Sequence, residues 1–181
     1  MNKYFSTHSL VIMALFAAIL SISAYISIPL PAGSHLTLLN FVVLLIALTF
    51  PVQQASVITL VWLLLGAVGV PVYIAGAAGI GYLLSGWGGY TFSFLIISLI
   101  IPLLCKRPYN RIYFTIISIL AAVLIDILGA AWLMVITKIS IKQAFLTGVL
   151  TFLPLDLLKA VVVAQIVPQL RKIVASATDA A

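Results

Sequence analysis

Six long apolar segments fill most of the chain, and charged residues rarely interrupt them. Hydrophobic residues make up 65% of the 181 residues and charged residues only 7%, whereas a soluble domain carries about a quarter charged residues. A helix needs about 20 apolar residues to cross the hydrocarbon core of a bilayer. We therefore predict an all-α integral membrane protein, a single domain with six transmembrane helices and no separate soluble domain. The approximate predicted spans are 9–28, 36–50, 55–70, 90–104, 112–136 and 144–167.

A glycine-rich loop, about 71–90, separates the third and fourth predicted helices. Irregular backbone at membrane depth persists only where it is buried in protein or lines a cavity. The loop is therefore the first candidate for a ligand site, although an external loop that uses glycine for its turns is the simpler alternative. Its aromatic residues could enclose an organic ligand or form an interfacial belt. They are Tyr73, Tyr82, Trp87 and Tyr90.

The positions of lysine and arginine predict how the chain is oriented, because cytoplasmic loops of membrane proteins are enriched in them. With a cytoplasmic N-terminus, six basic residues outside the spans lie in the cytoplasm and two lie outside the cell. We therefore expect a multi-pass protein of the cell membrane with both termini cytoplasmic. The net charge of +6 then reflects topology and not binding to nucleic acid. The cytoplasmic set is Lys3, Lys106, Arg107, Arg111, Arg171 and Lys172, and the external pair is Lys138 and Lys142.

An acid and a base lie three residues apart in the last predicted span, at Asp156 and Lys159. This spacing makes them neighbours on one face of a helix, and ionisable groups inside a bilayer usually have a partner. Asp156 could accept from amide or ureido N–H groups of a ligand while Lys159 meets a carboxylate. Alternatively, the pair could only hold helices together. Pro154 would either kink the span or begin a new helix segment.

Asp126 is a further acid within a predicted span, the fifth. An ionisable residue at this depth indicates a function or a charged partner. Three interpretations stay open: a second pole of the same cavity, a counter-ion for Lys159, or a group near the outer face that reaches water.

Small residues four positions apart mark one face of the first predicted span, at Ala14 and Ala18. Small side chains at this spacing let another helix approach closely. The face is a candidate docking site for a partner protein, although such spacings also occur inside ordinary helix bundles.

Catalytic motifs are missing from the sequence. It has no Gly-rich phosphate loop, no His-Glu-x-x-His and no cluster of Cys and His that could bind a metal. We therefore expect a chain that is not an enzyme and that needs no metal or cofactor. Any ATP would have to be hydrolysed by another protein.

Several motifs together carry a family resemblance that extends over most of the chain. They occupy 14–18, 24–31, 63–72, 76–81, 88–90 and 154–160. The set resembles the BioY family, the biotin-specific substrate-binding (S) components of energy-coupling factor (ECF) transporters.

The resemblance implies a six-helix S component that captures biotin in an occluded pocket on the outer side. It implies that Asp156 and Lys159 contribute to biotin binding, and that Ala14 and Ala18 dock on a transmembrane coupling (T) subunit that works with two ATPase subunits. The expected function is high-affinity capture and uptake of biotin, with ATP used only by the partners. The other predicted binding residues are Asn40, Tyr73, Gly76, Ala77 and Tyr82.

The chain departs from the family pattern where the family usually carries polar residues. Leu39 stands where a Gln is usual, and Ala77 stands where Ser or Asn is common. Either backbone groups and Asn40 replace the lost contacts to the ureido ring, or the ligand is a biotin precursor or another small carboxylate. A proton-coupled secondary transporter of a small carboxylate is the remaining alternative.

Overall fold

A computed structural model describes residues 6–29 and 35–179. Within these residues the chain is mainly helical, with one short 3-10 turn (Ile74–Gly76) and one π-helical turn (Leu146–Leu150). The helices are α1 (Thr7–Ser23), α2 (Leu39–Thr49), α3 (Val52–Ala67), α4 (Ile80–Leu83), α5 (Gly88–Leu104), α6 (Arg111–Thr137), α7 (Ile141–Phe145) and α8 (Leu153–Asp179).

Helix α6 (27 residues) and the stretch Leu153–Ala177 of α8 (25 residues) are long and apolar enough to cross a membrane. The other apolar helices are shorter, at 10–17 residues. Helix α6 packs between α5 and α8, and α2 packs against α5 and α8. The core between them is mainly apolar and also buries several Ser and Thr side chains.

The first helix is shorter than the predicted span 9–28, because α1 ends at Ser23. Strands β1 (Ser27–Pro29) and β2 (His35–Thr37) follow and pair antiparallel, with Ser27 opposite Thr37. Pro29 lacks a backbone N–H, which disfavours a helix but is tolerated at the edge of a sheet. This two-stranded hairpin is the local exception to the predicted all-α class.

The region of the predicted span 144–167 is divided between two helical pieces. Helix α7 ends at Phe145, and the π-helical turn that follows it ends at Leu150. Helix α8 begins at Leu153. Pro154 therefore lies in the first turn of α8, where the missing N–H needs no helical partner. Of the two alternatives for Pro154, the structure has the new helix segment.

Helix α8 continues through Pro168, although the predicted span ends one residue before it. A proline inside a helix leaves the carbonyl four residues earlier without its N–H donor. The hydroxyl of Tyr109 donates to that carbonyl, Ala164 O, at 2.9 Å. This side-chain bond replaces the lost backbone bond and lets the helix extend.

Arg171 joins the ends of three helices at one end of the bundle. Its guanidinium donates to the carbonyl of Leu48 at 3.0 and 2.6 Å and to the carbonyl of Cys105 at 3.0 Å. These carbonyls lie where α2 and α5 end, and helix ends leave such groups unpaired. The guanidinium also lies 4.7 Å from the centre of the Phe114 ring on α6.

Candidate ligand-binding site

A cavity of about 160 Å³ lies at the opposite end of the bundle, where α2, α5 and α8 begin. Mostly apolar walls with a few polar groups are typical of small-molecule sites. The lining residues are His35, Leu36, Thr37, Asn40, Ile74, Tyr82, Trp87, Tyr90, Phe94, Asp126, Phe152, Asp156 and Lys159.

Asp156 is at the centre of a hydrogen-bonded group in this cavity. Its Oδ1 accepts from Lys159 Nζ at 2.7 Å, and its Oδ2 accepts from Asn40 Nδ2 at 2.6 Å. Asp156 is only 2% exposed and lies in the first turn of α8, where the helix dipole favours a negative charge. Both carboxylate oxygens are therefore already bonded to protein donors.

Lys159 makes a second bond, to the carbonyl of Thr37 on β2, at 2.8 Å. The ion pair on α8 is thereby tied to the hairpin that borders the cavity. An ammonium has three N–H donors, and two of them are used within the described part of the chain. Among the described residues the third donor has no partner, so it is available to a ligand in the cavity.

Three aromatic rings form one wall of the cavity. The ring centres of Trp87 and Tyr90 lie 5.9 Å apart, and those of Tyr90 and Phe152 lie 5.8 Å apart. The Tyr90 hydroxyl donates to the carbonyl of Gly148 in the π-helical turn at 2.6 Å. Such a wall can enclose the apolar body of a small organic ligand.

Two glycines let neighbouring helical segments approach Tyr90. A Cβ at Gly129 on α6 would lie 2.2 Å from the Tyr90 ring, and a Cβ at Gly148 would lie 2.8 Å from its hydroxyl oxygen. Real Cβ atoms do not come this close to a ring. The aromatic wall therefore has this position only because both residues lack a side chain.

The predicted residues of the glycine-rich loop differ in where they lie. Tyr82 lines the cavity, and burial raises its pKa to about 12, so its hydroxyl keeps its proton at neutral pH. Tyr73 lies behind it, with the two ring centres 4.9 Å apart and its hydroxyl donating to Leu63 O at 2.5 Å. Gly76 and Ala77 also lie outside the cavity lining.

Gly76 and Ala77 shape the loop behind the cavity. Gly76 has a φ of 80°, in the left-handed region that favours glycine. The carbonyl of Ala77 accepts from the backbone N–H of Tyr73 at 3.0 Å. These contacts hold Tyr73 against Tyr82. Gly76 and Ala77 therefore support the cavity wall without lining the cavity.

Asp126 enters the same cavity from α6. It is 0% exposed, and neither of its carboxyl oxygens accepts a hydrogen bond from the residues that the structure describes. Its carboxyl group lies within hydrogen-bonding range of the Asp156 carboxyl group and also interacts electrostatically with Lys159. Its burial excludes the interpretation that it reaches water at the outer face, whereas the other two interpretations both fit its position.

Ala14 and Ala18 lie on the exposed side of α1. Ala17, between them, is buried against the other helices. Within the described part of the chain, Ala14 and Ala18 are therefore not buried against other helices. Leu10, Val11 and Leu15 are large apolar side chains that are also exposed on α1.

Several lining residues could not be found from sequence patterns. Thr37 contributes a backbone carbonyl, which any residue type could supply. Phe152 precedes the helix break at Pro154, and no spacing rule marks it as part of an aromatic wall. His35 and Leu36 on β2, Ile74 in the 3-10 turn and Phe94 on α5 meet only in the folded chain.

Comparison with known proteins places this site in a family context. A model of the BioY family matches residues 1–176. The chain belongs to the BioY family. This BioY chain is 31% identical over 157 residues to the biotin transporter BioY2 of Lactococcus lactis, with 86% of each chain covered. It is 34% identical over 152 residues to a probable biotin transporter BioY of Pyrococcus horikoshii, with 82% of this chain and 87% of the relative covered.

A solved structure shares the fold of this BioY chain. It is the S-component for biotin from an ECF-type ABC transporter, and it matches with a TM-score of 0.83 at 24% identity over 90% of each chain. The predicted fold class, a helical membrane protein similar to an S component, is confirmed. The short helices α4 and α7 are additions to the six predicted helices.

Proposed function

We propose that this BioY protein captures biotin in the cavity and acts as the substrate-binding subunit of an ECF-type transporter for biotin uptake. The observation that carries the proposal is the Asn40–Asp156–Lys159 group facing an aromatic wall within one cavity. Biotin combines a carboxylate with an apolar bicyclic body that carries ureido N–H groups. The remaining N–H donor of Lys159 can bind the carboxylate, and the aromatic wall can pack against the bicyclic body.

Two departures from the family pattern raise the question of a changed ligand. Leu39 is 1% exposed and packs in the core, and neither Leu39 nor Ala77 lines the cavity. Their apolar side chains therefore do not replace polar groups in the lining. Asn40, which does line the cavity, still offers its side-chain oxygen after its nitrogen has donated to Asp156. The two departures therefore leave the polar groups of the cavity lining in place.

The orientation of the bundle supports a cavity that opens outside the cell. Arg171 binds the ends of α2 and α5 opposite the cavity, and Lys106 and Arg107 follow α5 at that same end. Basic residues of membrane proteins concentrate on the cytoplasmic side. Helix α1 ends near the cavity, because Ala75 donates to the carbonyl of Ala24. Both termini are then cytoplasmic.

The partners in this proposal are a T subunit and two ATPase subunits. The exposed Ala14 and Ala18 on α1 form the docking face for the T subunit, since small side chains allow close helix approach. ATP is hydrolysed by the partners, and this chain contributes binding without catalysis and without a cofactor.

A second candidate function is proton-coupled transport of a small carboxylate, and the buried Asp126 is the observation that favours it. Uptake of radiolabelled biotin separates the two candidates in cells that lack another biotin transporter. We expect strong uptake when the T and ATPase subunits are co-produced and little change of the initial rate with an uncoupler while ATP is maintained. Uptake without these subunits that collapses with the uncoupler would favour proton coupling instead.

A further inference from the structure

Three exposed basic residues lie close together in sequence where α5 is joined to α6, at the end of the bundle opposite the cavity. None of them forms a salt bridge within the described residues, where the ion pair is the one between Lys159 and Asp156 in the cavity. Their charges are therefore not balanced by an acid of the described chain. These residues, which form the basic surface, are Lys106, Arg107 and Arg111.

Hydrogen bonds fix the backbone of this segment next to the basic surface. The Tyr113 hydroxyl donates to Leu104 O at 3.0 Å, and the Arg171 guanidinium donates to Cys105 O at 3.0 Å. The guanidinium carbon of Arg107 lies 6.0 Å from the centre of the Tyr113 ring. Since Tyr113 is in the first turn of α6 and Arg111 begins that helix, both arginines lie at the same helix end. Charges that only set the topology of the chain need no such fixed arrangement.

Exposed apolar side chains adjoin the basic surface on both helices. Leu103 and Leu104 end α5, and Ile112 and Ile116 lie in the first two turns of α6. The two helices pack against each other, and the bond from Tyr113 to Leu104 brings these two ends together. Exposed apolar surface that adjoins charged residues is typical of contacts with a membrane or a partner. The basic surface therefore lies at the edge of an apolar surface.

We propose that the basic surface binds the phosphate headgroup of an anionic phospholipid whose acyl chains lie against the exposed apolar residues of α5 and α6. Arginine presents a planar fork of N–H donors that matches phosphate oxygens, and bonds between charged groups are stronger than neutral ones. Basic pockets between transmembrane helices bind anionic lipid headgroups. An acidic protein surface would match the charges but not the apolar side chains beside them. In the proposed orientation the lipid belongs to the cytoplasmic leaflet.

The test is thermal melting of the full-length protein in a neutral detergent with added phosphatidylglycerol, phosphatidylcholine or inorganic phosphate. A ligand that binds only the folded protein raises its melting temperature. At a concentration ten times the dissociation constant, phosphatidylglycerol should raise it by about 3–6 °C more than phosphatidylcholine does. Inorganic phosphate should raise it much less, because it has no acyl chains to bury.

Arg107→Gln/Arg111→Gln removes two charges from the basic surface and should lose most of the extra shift with phosphatidylglycerol. The matched control, Lys138→Gln/Lys142→Gln, removes the same charge from exposed lysines at the opposite end and should keep the extra shift. A second variant, Lys106→Gln/Arg111→Gln, replaces the first if the first is poorly folded.

Equal shifts in a basic-surface variant and the control would overturn the proposal, because net charge alone would then explain lipid binding. An equal shift of the wild type with inorganic phosphate would also overturn it, since the site would then bind a simple anion. Unchanged lipid shifts together with lost uptake in the basic-surface variant would assign these residues to an acidic partner protein instead. Biotin affinity should be the same in variant and control, so failure of this proposal leaves the proposed function intact.

Discussion

Asn40 donates to Asp156 at 2.6 Å across 116 residues of sequence, and this bond joins α2 to α8 at the cavity. It holds Asp156 in place from one side while Lys159 holds it from the other. The carboxylate of Asp156 is therefore held in place, and Lys159 has an N–H donor without a partner among the described residues. Asp156 thus organises the polar wall, whereas Lys159 can bind a ligand.

Lys159→Ala is expected to lower the affinity for biotin more than it lowers the yield of folded protein. The variant removes the donor for the ligand carboxylate, while Asp156 keeps its bond to Asn40. The loss is about tenfold or more, as for a hydrogen bond between charged groups. Calorimetry and the yield of monodisperse protein in detergent measure the two quantities. The control is Lys142→Ala, which changes an exposed lysine on α7. Equal losses of binding and yield in Lys159→Ala would mean that the Asp156–Lys159 pair only holds helices together.

Gly129→Ala is expected to weaken ligand binding by displacing Tyr90. The added Cβ would lie 2.2 Å from the Tyr90 ring, and such overpacking destabilises by about 1–3 kcal/mol. Melting temperature and biotin affinity should both fall. Gly81→Ala is the matched control, because nothing lies within 4 Å of a Cβ at that position. Unchanged affinity in Gly129→Ala would mean that the position of the aromatic wall does not matter for the ligand.

Ala14→Trp and Ala18→Trp are expected to bind biotin normally and to fail in ATP-driven uptake. Both positions are exposed on α1, so a large ring disturbs the approach of a partner helix and not the cavity. Leu120→Trp is the control, since Leu120 is 57% exposed on α6. Calorimetry gives binding, and uptake with co-produced partner subunits gives transport. Full uptake by both tryptophan variants would contradict the proposal that Ala14 and Ala18 form a docking face.

Arg171→Ala is expected to destabilise the protein without a direct effect on the cavity. The guanidinium donates to the carbonyls of Leu48 and Cys105. Each hydrogen bond to a charged group contributes about 1.5–3 kcal/mol to the free energy of unfolding. A clear fall in melting temperature should follow, with biotin affinity retained at low temperature. Lys172→Ala, the exposed neighbour, should melt like the wild type. Equal melting of the two variants would show that the Arg171 bonds are not stabilising.

The sequence was sufficient to predict the helical membrane fold and the pairing of Asp156 with Lys159. Long apolar runs and a three-residue spacing on a helix are local properties, and they persist in the folded chain. The sequence also predicts the helix break at Pro154, as one of two alternatives. It does not predict the passage of α8 through Pro168, because that depends on Tyr109 from a distant loop.

The cavity itself depends on contacts that no local pattern reveals. Tyr73 and Tyr82 come from the same loop, yet only Tyr82 lines the cavity, because the loop turns at Gly76. The Thr37 carbonyl and the close approach of Gly129 to Tyr90 likewise arise from tertiary packing. The binding roles of Asn40, Asp156, Lys159 and Tyr82 stay predictions until a ligand is measured.

The proposed biotin site is tested most directly by calorimetric titration of purified wild-type protein and Lys159→Ala with biotin, biotin methyl ester and desthiobiotin. We expect tight binding of biotin by the wild type, a sharp loss of affinity for the ester, and a much smaller difference between acid and ester in Lys159→Ala. Desthiobiotin, which keeps the carboxylate and the ureido ring, should bind measurably. A folded wild-type protein that binds none of the three would contradict the claim that this cavity is a biotin site.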